Sequence, residues 1–194
     1  DVFSPDNLDQ AVDKIRTEYQ KIGRYLAEIE VKKNELSEGR IDIHFDINEE
    51  KLLVVKNINF IGNKNFTDRE LRSKISTKED AWYKLFGSNK FIPERLEYDK
   101  DKLKEFYNER GFIDFRVISA KGELLPDISG FNINFLIVEG ERFVINEIDF
   151  ISSSIKDINK NLLIDKILLR KNDYFDSRAL EKTTNILINF FKQK

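Results

Sequence analysis

The chain has 194 residues, 40% hydrophobic and 35% charged, an ordinary globular composition that excludes disorder and collagen-like repeats. Thirty-three Lys and Arg stand against 35 Asp and Glu, a formal charge of −2, so no global basic field exists to hold nucleic acid or an anionic membrane. Zero Cys and a single His remove disulfides, thiol catalysis, cysteine-ligated metals and any histidine triad, and no apolar run exceeds about four residues against the roughly 20 of a membrane-spanning helix.

In chain order, Phe3-Ser4-Pro5 opens a helix whose apolar stripe is Leu8, Val12, Ile15 and Tyr19, and Gly23 sits just past its end. In the strand that follows, Ile41, Ile43, Phe45 and Ile47 alternate with Asp42, His44 and Asp46, which predicts one dry face and one wet face. A second strand runs over Val54 to Ile61 and stops at the turn residues Gly62-Asn63. Thr67-Asp68-Arg69-Glu70 is a capping box, with Phe66 and Leu71 placed as a hydrophobic staple, so a helix starts at Asp68 and buries Leu71 and Ile75. Pro93 opens the next helix, with Leu96, Leu103 and Tyr107 on one side and Gly111 past its end. A hairpin follows, Arg116 to Leu124 and Phe131 to Val138.

These elements repeat. Phe3, Pro5, Leu8, Tyr19 and Gly23 recur as Phe91, Pro93, Leu96, Tyr107 and Gly111, a shift of 88. Ile43, Phe45, Ile47, Glu49, Val54, Ile58 and Phe60 recur as Ile133, Phe135, Ile137, Glu139, Val144, Ile148 and Phe150, a shift of 90. A third copy starts with a strand at Ile148 and Phe150 and continues with a helical stripe of Leu180, Leu187 and Phe191. Each unit therefore reads strand, helix, helix, strand, strand: an α+β layer with a three-stranded sheet and two helices on one face. With no Met and Asp1 opening directly onto a helix signal, the chain is expected to be a piece of a longer protein.

Phe60-Ile61-Gly62-Asn63 leading to Phe66-Thr67-Asp68-Arg69-Glu70-Leu71, and Phe106-Tyr107-Asn108-Glu109-Arg110-Gly111-Phe112 before the hairpin, make the chain resemble tandem POTRA domains of the BamA family of outer-membrane β-barrel assembly factors. Trp82-Tyr83 with Gly87 resembles the insertion of the third POTRA domain in that family. The resemblance implies the second half of a second POTRA domain (1–50, second helix and hairpin), a complete third (51–141), and the front of a fourth (142–194, first strand and two helices). Ser152-Ser153-Ser154 departs from the pattern where Gly62-Asn63 stands in the second copy. The mixed sheet of that fold puts the second strand of each module outermost.

On that basis the strand at Arg116, Val117, Ile118, Ser119, Ala120 and Lys121 is a candidate edge to which an unfolded outer-membrane protein adds a strand. The alternative is an edge merely solvated and guarded by Arg116, Lys121 and Glu123. Thr77 and Lys78 resemble the region where the family receives an accessory assembly lipoprotein. Trp82 and Tyr83 are surface-loop aromatics of the kind that mark partner sites, or that tuck against their own helices. The resemblance further implies the periplasmic face of the bacterial outer membrane and a membrane β-barrel of the same protein as a partner. No catalytic residue, cofactor, metal or nucleic acid is assigned: His44 between Asp42 and Asp46 lies on a solvated face, and the run Lys100 to Glu105 is a mixed charge run at helical spacing on a wet face, to which no binding role is assigned. Three other readings remain. One is the POTRA region of a different transport or secretion barrel. Another is a single-pass protein with one POTRA domain, against which the repeat argues. The third is a KH-like nucleic-acid module, against which the missing GxxG loop argues. The incomplete end copies are expected to be less stable than the middle one.

Overall fold

A computed structural model describes residues 5–80, 90–150 and 163–192, and the chain is α+β. Helix α1 (Pro5–Lys21) leads to an antiparallel hairpin of β1 (Glu28–Glu35) and β2 (Ile41–Asn48), in register from Glu28 opposite Asn48 to Glu35 opposite Ile41. Then come β3 (Val54–Ile61), α2 (Asp68–Lys74), α3 (Pro93–Asn108), β4 (Arg116–Leu124) and β5 (Gly130–Val138), the three strands forming a mixed sheet in the order β3-β5-β4. Helix α4 (Ser177–Lys192) closes the described chain.

The capping box forms as the sequence dictates. The backbone N–H of Thr67 donates to the Glu70 carboxylate at 2.8 Å, and the Glu70 N–H donates to Thr67 Oγ1 at 3.3 Å. Phe66, expected to staple onto Leu71, sets its ring edge-on to Phe106 and Tyr107, with centroids 4.9 and 5.1 Å away. At Gly62, φ is +100° and an added Cβ would lie 2.2 Å from the carbonyl oxygen of Ile137, so the turn after β3 requires glycine.

The chain divides into two compact units, each with its own core. The first comprises Asp1–Asn59, Ile75–Asp99 and Ala120–Phe135 and buries Leu53, Val55, Ile58, Ile75, Phe91, Leu96, Ile133 and Phe135. The second comprises Phe60–Lys74, Lys100–Ser119 and Leu136–Lys194 and buries Leu71, Leu103, Tyr107, Phe112, Phe115 and Ile137, with Tyr107 stacked on Phe115 at 4.0 Å. Each such side chain contributes about 1.5–3 kcal/mol by leaving water.

One joint occurs twice. Past α1, Gly23 (φ +88°) closes the helix: Arg24 N–H donates to Tyr19 O at 2.9 Å and Gly23 N–H to Gln20 O at 2.9 Å. Past α3, Gly111 (φ +92°) does the same, with Phe112 N–H on Tyr107 O at 3.1 Å and Gly111 N–H on Asn108 O at 3.4 Å. Each glycine then offers its own carbonyl to the chain that follows the next hairpin. Leu53 N–H donates to Gly23 O at 3.1 Å, and Phe143 N–H to Gly111 O at 2.9 Å. The carbonyls of Leu53 and Phe143 in turn accept from Phe91 N–H at 3.5 Å and Phe175 N–H at 3.0 Å, beside single antiparallel bridges Val54 to Lys90 and Val144 to Tyr174.

Three expectations need correction. The hairpin face of Ile41, Ile43, Phe45 and Ile47 alternates as expected but is not dry: Phe45 is 41% exposed, and no residue of β1 or β2 is buried. A two-stranded sheet has too little area to seal a face without a third layer. The stripe on α4 is only partly covered, with Leu180 and Phe191 exposed, Leu187 half-buried and Thr183 the buried residue of that helix. Around Ile148 and Phe150 the expected strand is irregular chain, because the described residues supply no further strand to pair with it. Phe3, Ser4 and Ser152 to Ser154 lie outside the described residues.

Candidate functional site

Among the described residues, strand β4 has a neighbour, β5, on one side only. Along it Arg116, Ile118 and Lys121 are exposed, and Val117, Ser119 and Ala120 half-buried; Ile118, at 55% exposure, is a large apolar side chain left on an open margin. Glycine at 122 sets the far limit, since a Cβ there would lie 2.4 Å from Cζ at the tip of the Phe91 ring, which points its edge at the strand. Phe91 lies against Phe131 with ring centroids 4.2 Å apart and planes tilted by 31°, and meets Tyr25 at 5.6 Å; burial, then the charge of Glu94, pushes the Tyr25 phenol up to about 12.

The opposite margin, β3, is closed by the chain itself. Asp80 N–H donates to Val55 O at 2.7 Å, the carboxylate of Glu79 accepts from Ile58 N–H at 2.8 Å, and Lys56 pairs with Asp80 at 3.1 Å. The segment after α2 thus occupies backbone groups that a second strand would need. Among the described residues, the three-stranded sheet has one open margin, and β4 is it. Its counterpart in the first copy, β1, also has a neighbour on one side, but Glu28, Glu30, Lys32, Lys33 and Glu35 make five of its eight residues charged. On β4 the four residues Val117 to Ala120 carry no charge.

Thr77 and Lys78 fall in the closing segment. Thr77 is 2% exposed; its N–H and that of Ser76 donate to the buried carboxylate of Asp99 at 3.1 and 2.6 Å. Its side chain is thus committed to the interior, while Lys78, half-buried, lays its ammonium on the carbonyl of Ile75 at 2.5 Å. Trp82 and Tyr83 lie outside the described residues. His44 is exposed on β2 opposite Lys32, whose ammonium pairs with Asp46 at 3.1 Å, and no cluster that could hold a metal occurs among the described residues.

Sequence reading missed a buried carboxylate. Glu139, 5% exposed at the end of β5, accepts from Tyr107 Oη at 2.9 Å, from Asn65 Nδ2 at 2.6 Å and from the Asn65 N–H at 3.1 Å, tying the turn before α2 to α3. Burial, then the Glu139 hydrogen bond and charge, drives the Tyr107 phenol far upward. The signal was present in the repeat: Tyr19 Oη donates to Glu49 at 3.2 Å, the same two residue types at the positions the shifts of 88 and 90 bring into register.

The sequence pattern of the POTRA family, described as surface antigen variable number repeat, matches residues 1–50 and 53–140. The chain is 32% identical over 142 residues, 73% of its length, to the outer membrane protein assembly factor BamA of Neisseria meningitidis serogroup B. It is 26% identical over 160 residues, 82% of its length, to BamA of Neorickettsia risticii. It spans 18% and 21% of these two curated relatives, about a fifth of their length. Among solved structures, Haemophilus influenzae BamA POTRA3-5 is similar in fold, with a TM-score of 0.51 at 17% identity, over 94% of this chain and 69% of that one.

Proposed function

The chain belongs to the POTRA family, and on that premise we propose that it is part of the periplasmic POTRA region of an outer-membrane β-barrel assembly factor, where it holds unfolded outer-membrane proteins by strand addition to β4. We further propose that it is organised as modules 1–50, 51–141 and 142–194 and works beside the membrane β-barrel of its own protein, as a scaffold without catalysis.

The observation that carries this reading is the asymmetry of the sheet: β3 is closed by Glu79 and Asp80, and β4 is open. A chain laid along Arg116 to Lys121 takes up N–H and C=O groups that water otherwise satisfies. Main-chain bonding tolerates almost any sequence, which suits a receptor for many different substrates. Each bond contributes about 1 kcal/mol net, and ordering the incoming segment costs about 1–2 kcal/mol per residue, so side-chain contacts with Ile118 and its neighbours are needed and the grip stays weak, near the millimolar range of about −4 kcal/mol. Weakness allows release toward the membrane.

The test is an amide chemical-shift titration with a β-strand peptide bearing the C-terminal pattern of an outer-membrane protein. Saturable shifts are expected along Arg116 to Lys121 and are expected to vanish in Ile118→Lys, which adds a charge to the uncharged window. No shift at millimolar peptide, or shifts confined to β1, would remove strand addition at β4. For accessory lipoproteins, the proposed docking region runs from Thr77 and Lys78 to Trp82 and Tyr83, with Thr77 setting the segment's position from inside. Trp82→Ala with Tyr83→Ala should abolish capture of such a lipoprotein while leaving the peptide titration unchanged; undiminished capture would dismiss these residues.

A further inference from the structure

A cluster of charges lies in the second unit, where the end of α2 and the end of α3 line a cavity with the first turn of α4. A cavity of about 310 Å³ is lined there by Lys74, Lys102, Arg110 and Arg178 against Glu105 and Glu109, with the ring of Phe106 as an apolar wall. Four cations face Glu105 and Glu109, and the Glu70 carboxylate on α2 acts on Lys74 and Arg110, which leaves an excess of one positive charge in a chain whose total is −2. The carboxylates are already shared. Glu105 takes Lys102 at 3.1 Å and Arg178 at 3.4 Å, while Glu109 takes Arg110 at 3.6 Å and a close contact from Arg178. Lys102, then Arg178, holds the Glu105 carboxyl below its ordinary range, so it counts as a full negative charge and the excess is real.

Two cations stack on one ring. The Arg110 guanidinium lies 3.8 Å from the centroid of Phe106 and donates to the Phe106 carbonyl at 2.9 Å, and the Lys74 ammonium sits 5.2 Å from the same centroid. Lys74 has no carboxylate within 4 Å among the described residues. We propose that this cavity is a binding site for a phosphate group, with Lys74, Arg110 and Arg178 as its ligands. A phosphate carries the charge that the excess calls for, and the fixed fork of an arginine matches its oxygens two at a time. The same chemistry is offered by free inorganic phosphate and by the phosphodiester of an anionic lipid.

The experiment titrates the whole chain with inorganic phosphate and, separately, with phosphatidylcholine vesicles lacking or containing phosphatidylglycerol, against chloride at matched ionic strength. Saturable amide shifts at Lys74, Phe106, Arg110 and Arg178 are expected with phosphate or with the phosphatidylglycerol vesicles. Response to free phosphate assigns a solute ligand, and response to the anionic vesicles alone assigns a lipid headgroup. Lys74→Gln breaks no ion pair and so leaves the fold intact; it should weaken binding by about tenfold, whereas Lys14→Gln on α1 should change nothing. Shifts that chloride reproduces, or that Lys74→Gln leaves untouched, would overturn the site. The outcome is independent of strand addition at β4.

Discussion

The two copies of the glycine joint share a backbone and differ in what surrounds it. At the first, the Gly23 carbonyl takes Leu53 N–H at 3.1 Å and Arg24 reaches back to the carbonyl of Glu50 at 2.5 Å and to the Glu49 carboxylate at 2.9 Å. At the second, the Gly111 carbonyl takes Phe143 N–H at 2.9 Å, Arg142 stacks 3.3 Å over Tyr174 while donating to Arg110 O at 2.8 Å, and Arg178 pairs with Glu105 and Glu109. Position 24, where the first joint has its arginine, is matched in the second by Phe112, and Arg142 stands where the first has Leu52. The joint is thus specified by left-handed glycine and main-chain bonding, and the cation that braces it has changed sides.

The largest contrast should come from the glycines. An alanine at 111 adds the left-handed penalty of about 1–2 kcal/mol and brings its Cβ to 3.0 Å from the carbonyl of Phe143, so Gly111→Ala should cost about 2–4 kcal/mol. At 23 the nearest atom would be the Cβ of Lys90 at 3.4 Å, an ordinary contact, and Gly23→Ala should cost about 1–2 kcal/mol. Native-state hydrogen exchange resolves each joint by its own amides, which a single melting curve on a chain of two units does not. Equal losses at Leu53 and Phe143 would mean that the close approach to Phe143 carries no energy.

Next in size is the tyrosine–carboxylate pair that accompanies each joint. Glu139→Gln puts an amide NH2 among groups that already donate, Tyr107 and Asn65, in a buried site, and should cost about 1–3 kcal/mol. Glu49→Gln changes an exposed pair, worth a few tenths of a kcal/mol. Denaturant midpoints for the two variants should separate accordingly; similar midpoints would show that burial of Glu139 is irrelevant.

How far the sequence foretold this follows from the range of each interaction. Local chemistry was legible: the capping box at Thr67 and Glu70, the glycines at 23 and 111, and the hairpin from Arg116 to Val138 all act within a few residues. The open margin of β4 was legible only through the family resemblance, since alternation along a strand does not say how many neighbours it has. Glu79 on the edge of β3 and Asp99 under Thr77 span 21 and 22 residues and carry no local signature. Apolar periodicity at Phe45 gave the correct face but not its cover, because cover depends on a layer that periodicity does not describe, and at Phe191 it missed the face, since Thr183 is buried and Phe190 half-buried there while Leu180 and Phe191 are exposed.

The smallest effect separates the joints by pH. Glu105 has its carboxyl held below the ordinary value of 4.5, first by the Lys102 hydrogen bond and then by Arg178, which extends from α4 and braces the second joint. A carboxylate whose native pKa is depressed stabilises the fold at pH above its unfolded value and loses that contribution as pH falls through the native one. Acidification from about pH 6 to about pH 3.5 should therefore lower the protection factors of Phe143 and Phe175, the exchange rate being taken relative to the intrinsic rate at each pH, and Arg178→Gln should flatten the response. Both groups are largely exposed, so the change is modest and shrinks further in salt. If the protection factors of Phe143 and Phe175 are flat across this range in the unsubstituted chain, the second joint is held by its backbone bonds and the Arg142 stack alone, and the ion pairs of Arg178 are bystanders.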